Sequence, residues 1–437
     1  MTIKKQNFKK IKFYELNHTK RIEYIQKETK LNENDLNILF DLPKNLSFND
    51  VNNMIENVIG IIPVPMGIAT NFLINNKPYL IPMAIEESSV IAAASKAAKI
   101  AKEKGGFYVQ ADESIMIGQI QLVSSSRSYK SFFDQKDKKI IKKIIQDNKK
   151  ELIKIANMKS NSVIAKDIQI REMKDESKNK MGDMIIIELI IDTKDAMGAN
   201  VINSMCEAIS TNIEVLTNKE VILKILSNYS TRRLVRCKAK FSRNQIGDKN
   251  VTRFLYAYAL AFSDTYRAVT HNKGLMNGID AVALATGQDI RAIEAAVHAY
   301  ASRDGKYRSL TKWYESKEGD LVGEIEIPLA VGIVGGITAV NPYVKTALKI
   351  LKINKSKELA MIMAAVGLAQ NFAAIRALVD EGIQKGHMRL HAKNIATAAG
   401  AKGDQIIQIS KILIEEGDIS VSKAKQIIEN LKNTKNK

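Results

Sequence analysis

The chain has 437 residues and a formal net charge of +19, from 66 Lys and Arg against 47 Asp and Glu. Apolar residues make up 45% of it, enough to fill a large core and to exclude disorder, and the length implies two or three domains. The charge attracts anions, but no basic stripe interleaved with stacking aromatics runs through the sequence, so nucleic acid is disfavoured; phosphate-bearing cofactors or a genome biased towards Lys and Asn codons account for the charge equally well.

No secretory apolar region follows the Lys-rich start, and no run approaches the roughly 20 apolar residues of a membrane span. Cys206 and Cys237 form no disulfide or zinc pattern. A cytoplasmic protein with no membrane and no metal is expected.

Residues 1–50 read as a polar, mostly helical lead-in, with a short capped helix over 32–40. Residues 58–85 turn apolar and are broken by prolines and glycine, which suggests short strands and turns. An Ala-rich helix follows over 89–104, stopped by Gly105-Gly106. Strands are expected over 115–123, 163–172, 184–191 and 221–226, with a helix near Asp195. A basic amphipathic helix is expected over 135–158, its lysines a solvated face rather than a binding patch. Such pairing of strands and helices suggests an inserted α/β or α+β unit. Helices return over 254–270 and 289–303, where His298 is read as a packed or peripheral residue. The glycines of Val331–Ala339 bring backbone close to backbone but are not a dinucleotide fingerprint. Two helices and a fraying tail close the chain.

Four places combine small residues with chemically capable ones. Glu86-Glu87-Ser88-Ser89 stands at a helix start, either as a proton donor or as a capping cluster. In His271–Gly278, Gly274 and Gly278 stand next to Lys273 and Asn277 and would let the chain turn around a ligand, with the lysine suited to an anion or a developing oxyanion. Asp289 follows at a helix N-terminus, where a plain N-cap is the simpler role. Asp195–Asn200 would open a helix whose small first turn admits a pyrophosphate. In Gly386–His391, His387 can serve as a general acid; no HExxH glutamate accompanies His387 and His391, which argues against a metal. These fragments allow an enzyme acting on a large anionic substrate with a dinucleotide.

Taken together, ENVIGIIPVPMGIA (56–69), EESSVIAAAS (86–95), DAMGAN (195–200), ILSN (225–228), HNKGLMNGIDAVALATGQD (271–289) and GHMRLHAKNIA (386–396) resemble the hydroxymethylglutaryl-coenzyme A reductase family in its class II, soluble bacterial form. The resemblance spans nearly the whole chain in the family's order. It implies an α+β, mixed α/β fold without a Rossmann motif. A large, mainly helical domain (1–111 and 227–383) would bind the coenzyme A thioester. An inserted small domain (112–226) would bind NAD(P), and a C-terminal flap (384–437) would carry the catalytic histidine.

It further implies two successive reductions of hydroxymethylglutaryl-coenzyme A to mevalonate and coenzyme A, in a homodimer or larger homo-oligomer with active sites at the interface. By that resemblance Lys273 stabilises the oxyanion, Glu87 donates a proton, Asp289 hydrogen-bonds between them, and His387 protonates the departing thiolate. Ser89, Arg267 and Asn277 would contact substrate; Asp195, Met197, Gly198, Asn200 and Asn228 would contact the cofactor. Two departures stand out. Ser88 occupies a position where the family often has proline, which should loosen the turn. The stretch Ala156–Ser162 has Lys159 and Ser160 where NADH-using members place an aspartate, which favours NADPH while leaving NADH possible. The other readings are a different thioester or NAD-linked dehydrogenase on this scaffold and an inactive homologue that binds acyl-coenzyme A.

Overall fold

The computed structural model describes residues 16, 18–40, 50, 54–55, 62–124, 133–179, 181–380 and 392–435. Its strands are β1 (Met66–Ile74), β2 (Lys77–Ala84), β3 (Phe107–Ala111), β4 (Ile115–Val123), β5 (Ile164–Met173), β6 (Met184–Asp192), β7 (Glu220–Ser227), β8 (Leu234–Phe241), β9 (Thr311–Glu315) and β10 (Leu321–Pro328). They form a six-stranded sheet in the order β2-β1-β3-β8-β10-β9 and a four-stranded sheet in the order β5-β6-β4-β7. β1 pairs with β3 in parallel, and the remaining pairings are antiparallel. The chain leaves the large sheet after β3 and re-enters it at β8, the strand beside β3. The small sheet is therefore a continuous insertion. Strict alternation of burial along β4 shows its period of two, with one face turned to its own core.

Helices α1 (His18–Glu28) and α2 (Glu33–Phe40) open the described chain. Asn32 and Asp35 accept each other's backbone N–H at 3.0 Å, the reciprocal cap that the sequence suggests. α3 (Val90–Lys102) is the Ala-rich helix, followed by Gly105 and Gly106 at positive φ. The single basic helix expected over 135–158 is two, α4 (Gln135–Asp147) and α5 (Lys149–Asn157). Asn148 separates them, its side chain bonding the Ile144 carbonyl at 2.8 Å and competing with the helix ladder. Ile141, Ile145, Leu152 and Ala156 face inward, while Lys138, Lys142 and Lys149 pair with Asp183, Glu172 and Asp167. The basic face is solvated and internally paired.

α6 (Ala199–Thr217) begins after Asp195 rather than at it, with Gly198 at φ 99° as its N-cap. The helix expected over 254–270 is also two, α7 (Asp248–Ser263) and α8 (Thr265–Ala285). Asp264 breaks it by adopting an extended conformation and accepting the Arg267 N–H at 2.7 Å. α9 (Ile290–Ala301), α10 (Pro342–Leu351) and α11 (Ser356–Val379) complete the large unit. Beyond it, residues 392–398 are helical, then come α12 (Asp404–Glu416) and α13 (Val421–Lys435). The Ala-rich stretch 392–398 thus adds a helical segment to the two expected here. These helices share a small apolar cluster of their own, including Ala396, Ile409, Leu413 and Ala424.

α11 corrects the expectation that no run is long enough to span a membrane. By length and composition it is, but 67% of its most apolar 18-residue window is buried inside the protein. It packs against α3, α7 and α8 and over β3, β8 and β10. Its Phe372 stacks on Phe241 of β8 with ring centroids 3.9 Å apart, and Phe254 and Trp313 close around the pair. The large unit is thus helices laid on a six-stranded sheet, with more strand than the sequence suggested. Its core is separate from that of the insertion, where Met116, Ile120, Ile187 and Leu189 meet Ile202, Met205 and Ile209 of α6.

Candidate active site

Lys273 lies in the middle of α8, on a helix that the sequence reading took for a glycine-bracketed turn. The glycines serve packing instead. A Cβ on Gly278 would stand 2.9 Å from the Gln370 Cβ and 3.2 Å from the Val366 carbonyl of α11, so a bare backbone is what lets the two helices approach. The opposite side of α8 is left open. There the Lys273 side chain is 63% exposed, and its ammonium lies 3.6 Å from the Glu87 carboxylate. Glu87 belongs to the turn between β2 and α3. Ser89 in that turn caps α3 with φ 78°, a left-handed conformation that costs a non-glycine residue about 1–3 kcal/mol and tends to mark functional sites. Asn277 follows Lys273 by one helical turn and shares its face. Arg267 is half-buried, and desolvation holds its guanidinium below its ordinary value. His271 is not a candidate acid. Burial, reinforced by the Arg267 charge, pushes it down to about 3, and its Nε2 bonds Thr311 and Ser309.

The Asp195–Asn200 segment is a loop leading into α6. With glycine as N-cap, no side-chain cap and no acidic residue in the first turn, the N-terminus of α6 presents its free amides to an anion. The Asp195 carboxylate is committed elsewhere, accepting the Ser356 N–H at the start of α11 at 2.8 Å. Buried Arg233 holds the same junction. It bonds Thr193 Oγ1 (3.1 Å) and the Ala196 carbonyl (3.4 Å) on the insertion side, and the Val331 carbonyl (2.5 Å) and Ser356 Oγ (3.3 Å) on the other. Its pKa is pushed down to about 10 by burial, against the opposing pull of Asp192 and Asp195. Asn228 is exposed at the end of β7, and Asn203 of α6 ties that strand end down by accepting the Leu226 N–H at 2.9 Å.

Asp289 departs from the arrangement the resemblance implies. Its carboxylate does not bridge Lys273 and Glu87; it caps α9 by accepting the Ala292 N–H at 3.2 Å and pairs with Arg291 at 3.3 Å. The physical reason is the extended backbone at Asp289, which turns the side chain back onto the first turn of its own helix. His387 and His391 lie outside the described residues. Among the described residues no group of three His, Cys, Asp or Glu side chains could hold a metal ion. A cavity of about 290 Å³ on the large sheet includes none of the candidate residues, and its Arg236 and Lys238 already pair with Glu326 and Glu324.

A half-buried acid–base chain lies further along the Lys273 helix. Asp280 on α8 approaches Glu294 of α9, Glu294 bonds His298 Nε2 at 2.7 Å, and His298 Nδ1 bonds the Tyr307 hydroxyl at 2.7 Å. Burial, then the neighbouring Glu294, pushes the Asp280 carboxyl well above the carboxylate range; His298 pulls Glu294 below it. Asp280, Arg233, Gln288 and Ser356 were not singled out from sequence, because their partners are remote or main-chain atoms that leave no local pattern.

A cation–carboxylate pair on one unit and an uncapped helix N-terminus on an inserted sheet fit an enzyme of mixed α/β fold that binds an anionic nucleotide. A model of the family described as Hydroxymethylglutaryl-coenzyme A reductase matches residues 17–392. The 3-hydroxy-3-methylglutaryl-coenzyme A reductase of Archaeoglobus fulgidus is 45% identical over 426 residues, covering 96% of this chain and 94% of that one. The probable reductase of Borreliella burgdorferi is 40% identical, with 80% of each chain covered. Among solved structures, the Streptococcus pneumoniae reductase superposes with a TM-score of 0.78 at 35% identity, over 96% of this chain and 99% of that one. The class II enzyme of that organism bound to NADPH in open conformations gives a TM-score of 0.76 at 35% identity, over 95% and 100%. The chain belongs to the hydroxymethylglutaryl-coenzyme A reductase family, in its class II type. It is an NAD(P)H-dependent oxidoreductase that converts hydroxymethylglutaryl-coenzyme A to mevalonate.

The Asp280–Glu294 pair gives a pH signature. Between an unfolded-state value of about 4 and its raised folded value, folded Asp280 keeps a proton that the unfolded chain has released. Stability from this group therefore falls as pH rises through that window. The lowered Glu294 acts oppositely, its contribution being present above about 4 and lost as pH falls through its folded value. Asp280→Asn keeps a donor toward Glu294 and removes the titration. Urea denaturation at pH 5 and pH 8 should show the variant gaining on the wild type at the higher pH; a difference independent of pH would contradict the assignment.

Proposed function

We propose that Lys273, Glu87, Asp289 and His387 carry the reduction, with NADPH as the preferred reductant. The observation that carries this reading is the exposed Lys273 ammonium 3.6 Å from the Glu87 carboxylate. Bound nicotinamide supplies the hydride for each of the two reductions. As hydride reaches the thioester carbon, negative charge grows on its oxygen, and Lys273 offsets that charge from a helix held rigidly against α11. Glu87 supplies the proton that the oxygen takes up. Collapse of the first adduct returns that proton from the oxygen to Glu87, expels the coenzyme A thiolate and leaves mevaldehyde. His387 protonates the thiolate, preventing its return to the aldehyde. The second reduction repeats the use of Lys273 and Glu87 and yields mevalonate. Asp289 would leave its capping position to bond Lys273 and Glu87, and the three would titrate as a set. Ser89, Arg267 and Asn277 would orient the substrate, with Arg267 suited to its terminal carboxylate.

On the insertion, the amide-rich start of α6 fits a pyrophosphate, with Met197, Gly198, Asn200 and Asn228 around it. Asp195 would serve this site as an anchor, through its bond to Ser356. Exposed Lys159 follows α5, and the Ser160 hydroxyl closes the next turn by accepting from Ser162 and Val163. A cation without an aspartate at that turn favours the 2′-phosphate of NADPH. Domain roles follow: 112–226 for the cofactor, 1–111 and 227–383 for the thioester, and 384–437 as the flap bearing His387. A homodimer is supported by Tyr256, Leu260, Tyr266 and Val269, large apolar side chains exposed on α7 and α8. We place the enzyme in the cytoplasm.

Lys273→Ala should lower kcat by about 10²–10³-fold, the usual loss for a group that stabilises an oxyanion, while thermal stability stays near that of the wild type. An active Lys273→Ala enzyme would overturn the assignment. Lys159→Glu should raise KM for NADPH relative to NADH by about tenfold or more, as repulsion replaces attraction of a phosphate; an unchanged ratio would place the ribose elsewhere.

A further inference from the structure

Gln288 immediately precedes Asp289, and its side chain is turned into the protein. Its Nε2 donates to the carbonyls of Thr286 (2.7 Å) and Gly332 (2.9 Å), and its Oε1 accepts the Gly332 N–H (2.8 Å). One amide thus takes up both main-chain groups of Gly332, as a neighbouring strand would. Gly332 in turn rests on the loop that leads into α6. A Cβ added there would stand 2.5 Å from the Met197 nitrogen and 3.0 Å from the Ala196 carbonyl carbon, so only glycine allows the approach. The next residue, Ile333, donates its N–H to the Asp195 carbonyl at 2.9 Å. A continuous main-chain path therefore runs from the start of α9, through the Gln288 amide and Gly332, to Met197.

We propose that Gln288 is a positioning residue that sets the distance between the Asp289 end of α9 and the cofactor loop at 195–198. The proposal rests on the reading of Asp289 and of that loop given above. Only an amide satisfies all three bonds. Glutamate in this place turns a carboxylate on the Thr286 and Gly332 carbonyls, and methionine leaves the Gly332 N–H and both carbonyls without this partner. The charged groups about this junction are Asp289 and Arg291 next to Gln288 in the chain, Asp195 on the facing loop, and Arg233, which bonds the Val331 and Ala196 carbonyls beside Gly332. The wild type and the variants share them.

The test is steady-state kinetics of the full-length enzyme, Gln288→Met and Gln288→Glu, with NADPH and hydroxymethylglutaryl-coenzyme A varied separately. Gln288→Met should raise KM for NADPH by about tenfold and lower kcat, the scale of one or two lost hydrogen bonds, with KM for the thioester within about twofold. In Gln288→Glu the KM defect, normalised to the wild type at each pH, should shrink as pH falls, because a protonated carboxyl regains one donor. That pH recovery decides the matter if Gln288→Met does not fold. A merely structural role lowers the active fraction and leaves both KM values alone. That result, or unchanged kinetics in both variants, overturns the proposal. Failure of the underlying functional reading shows differently, as a wild type that oxidises no NADPH with the thioester.

Discussion

A helix apolar on every side has to be enclosed on every side, and α11 imposes that constraint on the large unit. Burying Leu359, Met363, Val366 and Phe372 at once requires a sheet beneath and helices around it. α8 is one of those helices. The glycine contacts that bring it close to α11 leave its other face outward, and Lys273 stands on that face. The Lys273 ammonium thus stands on a helix fixed by packing on its far side rather than within a network of partners. Such a placement leaves the charge available to a substrate oxygen, with little side-chain commitment to undo.

The same helix governs the insertion through its first residue. The Ser356 N–H donates to the Asp195 carboxylate, its hydroxyl donates to the Lys194 carbonyl at 2.9 Å, and Arg233 donates to the Ser356 hydroxyl. A buried guanidinium is costly unless its donors are used, and here they join Thr193 and Ala196 of the insertion to Val331 of the large unit. The long face of α11 holds the helix that carries Lys273, and its N-terminus anchors the loop that leads to the amides of α6. Two sites formed in separate cores are referred to one rigid element.

Much of this is legible in the sequence where structure is local. The β4 strand, the cap at Asn32 and Asp35 and the glycine stop after α3 follow from alternation, reciprocal side chains and positive φ, all expressed within a few residues. Helix breaks at Asn148 and Asp264 were missed because apolar periodicity runs on across them, and only a side chain turned onto the backbone ends the helix. The Lys273 segment was misread for the converse reason. Gly274 and Gly278 carry a turn-like propensity that tertiary packing overrides. The Lys273–Glu87 pair was visible as two motifs, and the structure supplies their meeting. Asp289 had two readings, and the local one, a helix cap, is what the single chain adopts. Gly332 lay in the glycine stretch read as bringing backbone close to backbone, and it does so against Ala196 and Met197. Gln288 and Arg233 left no trace, because a side chain that binds main-chain atoms far along the chain needs no partner of a particular type.

The most direct measurement is the loss of reduced-nicotinamide absorbance when purified enzyme meets a limiting amount of hydroxymethylglutaryl-coenzyme A. Oxidation of two cofactors per thioester, with mevalonate and free coenzyme A as products, is the result this account predicts. Oxidation of one cofactor with an aldehyde released, or of none, would contradict it.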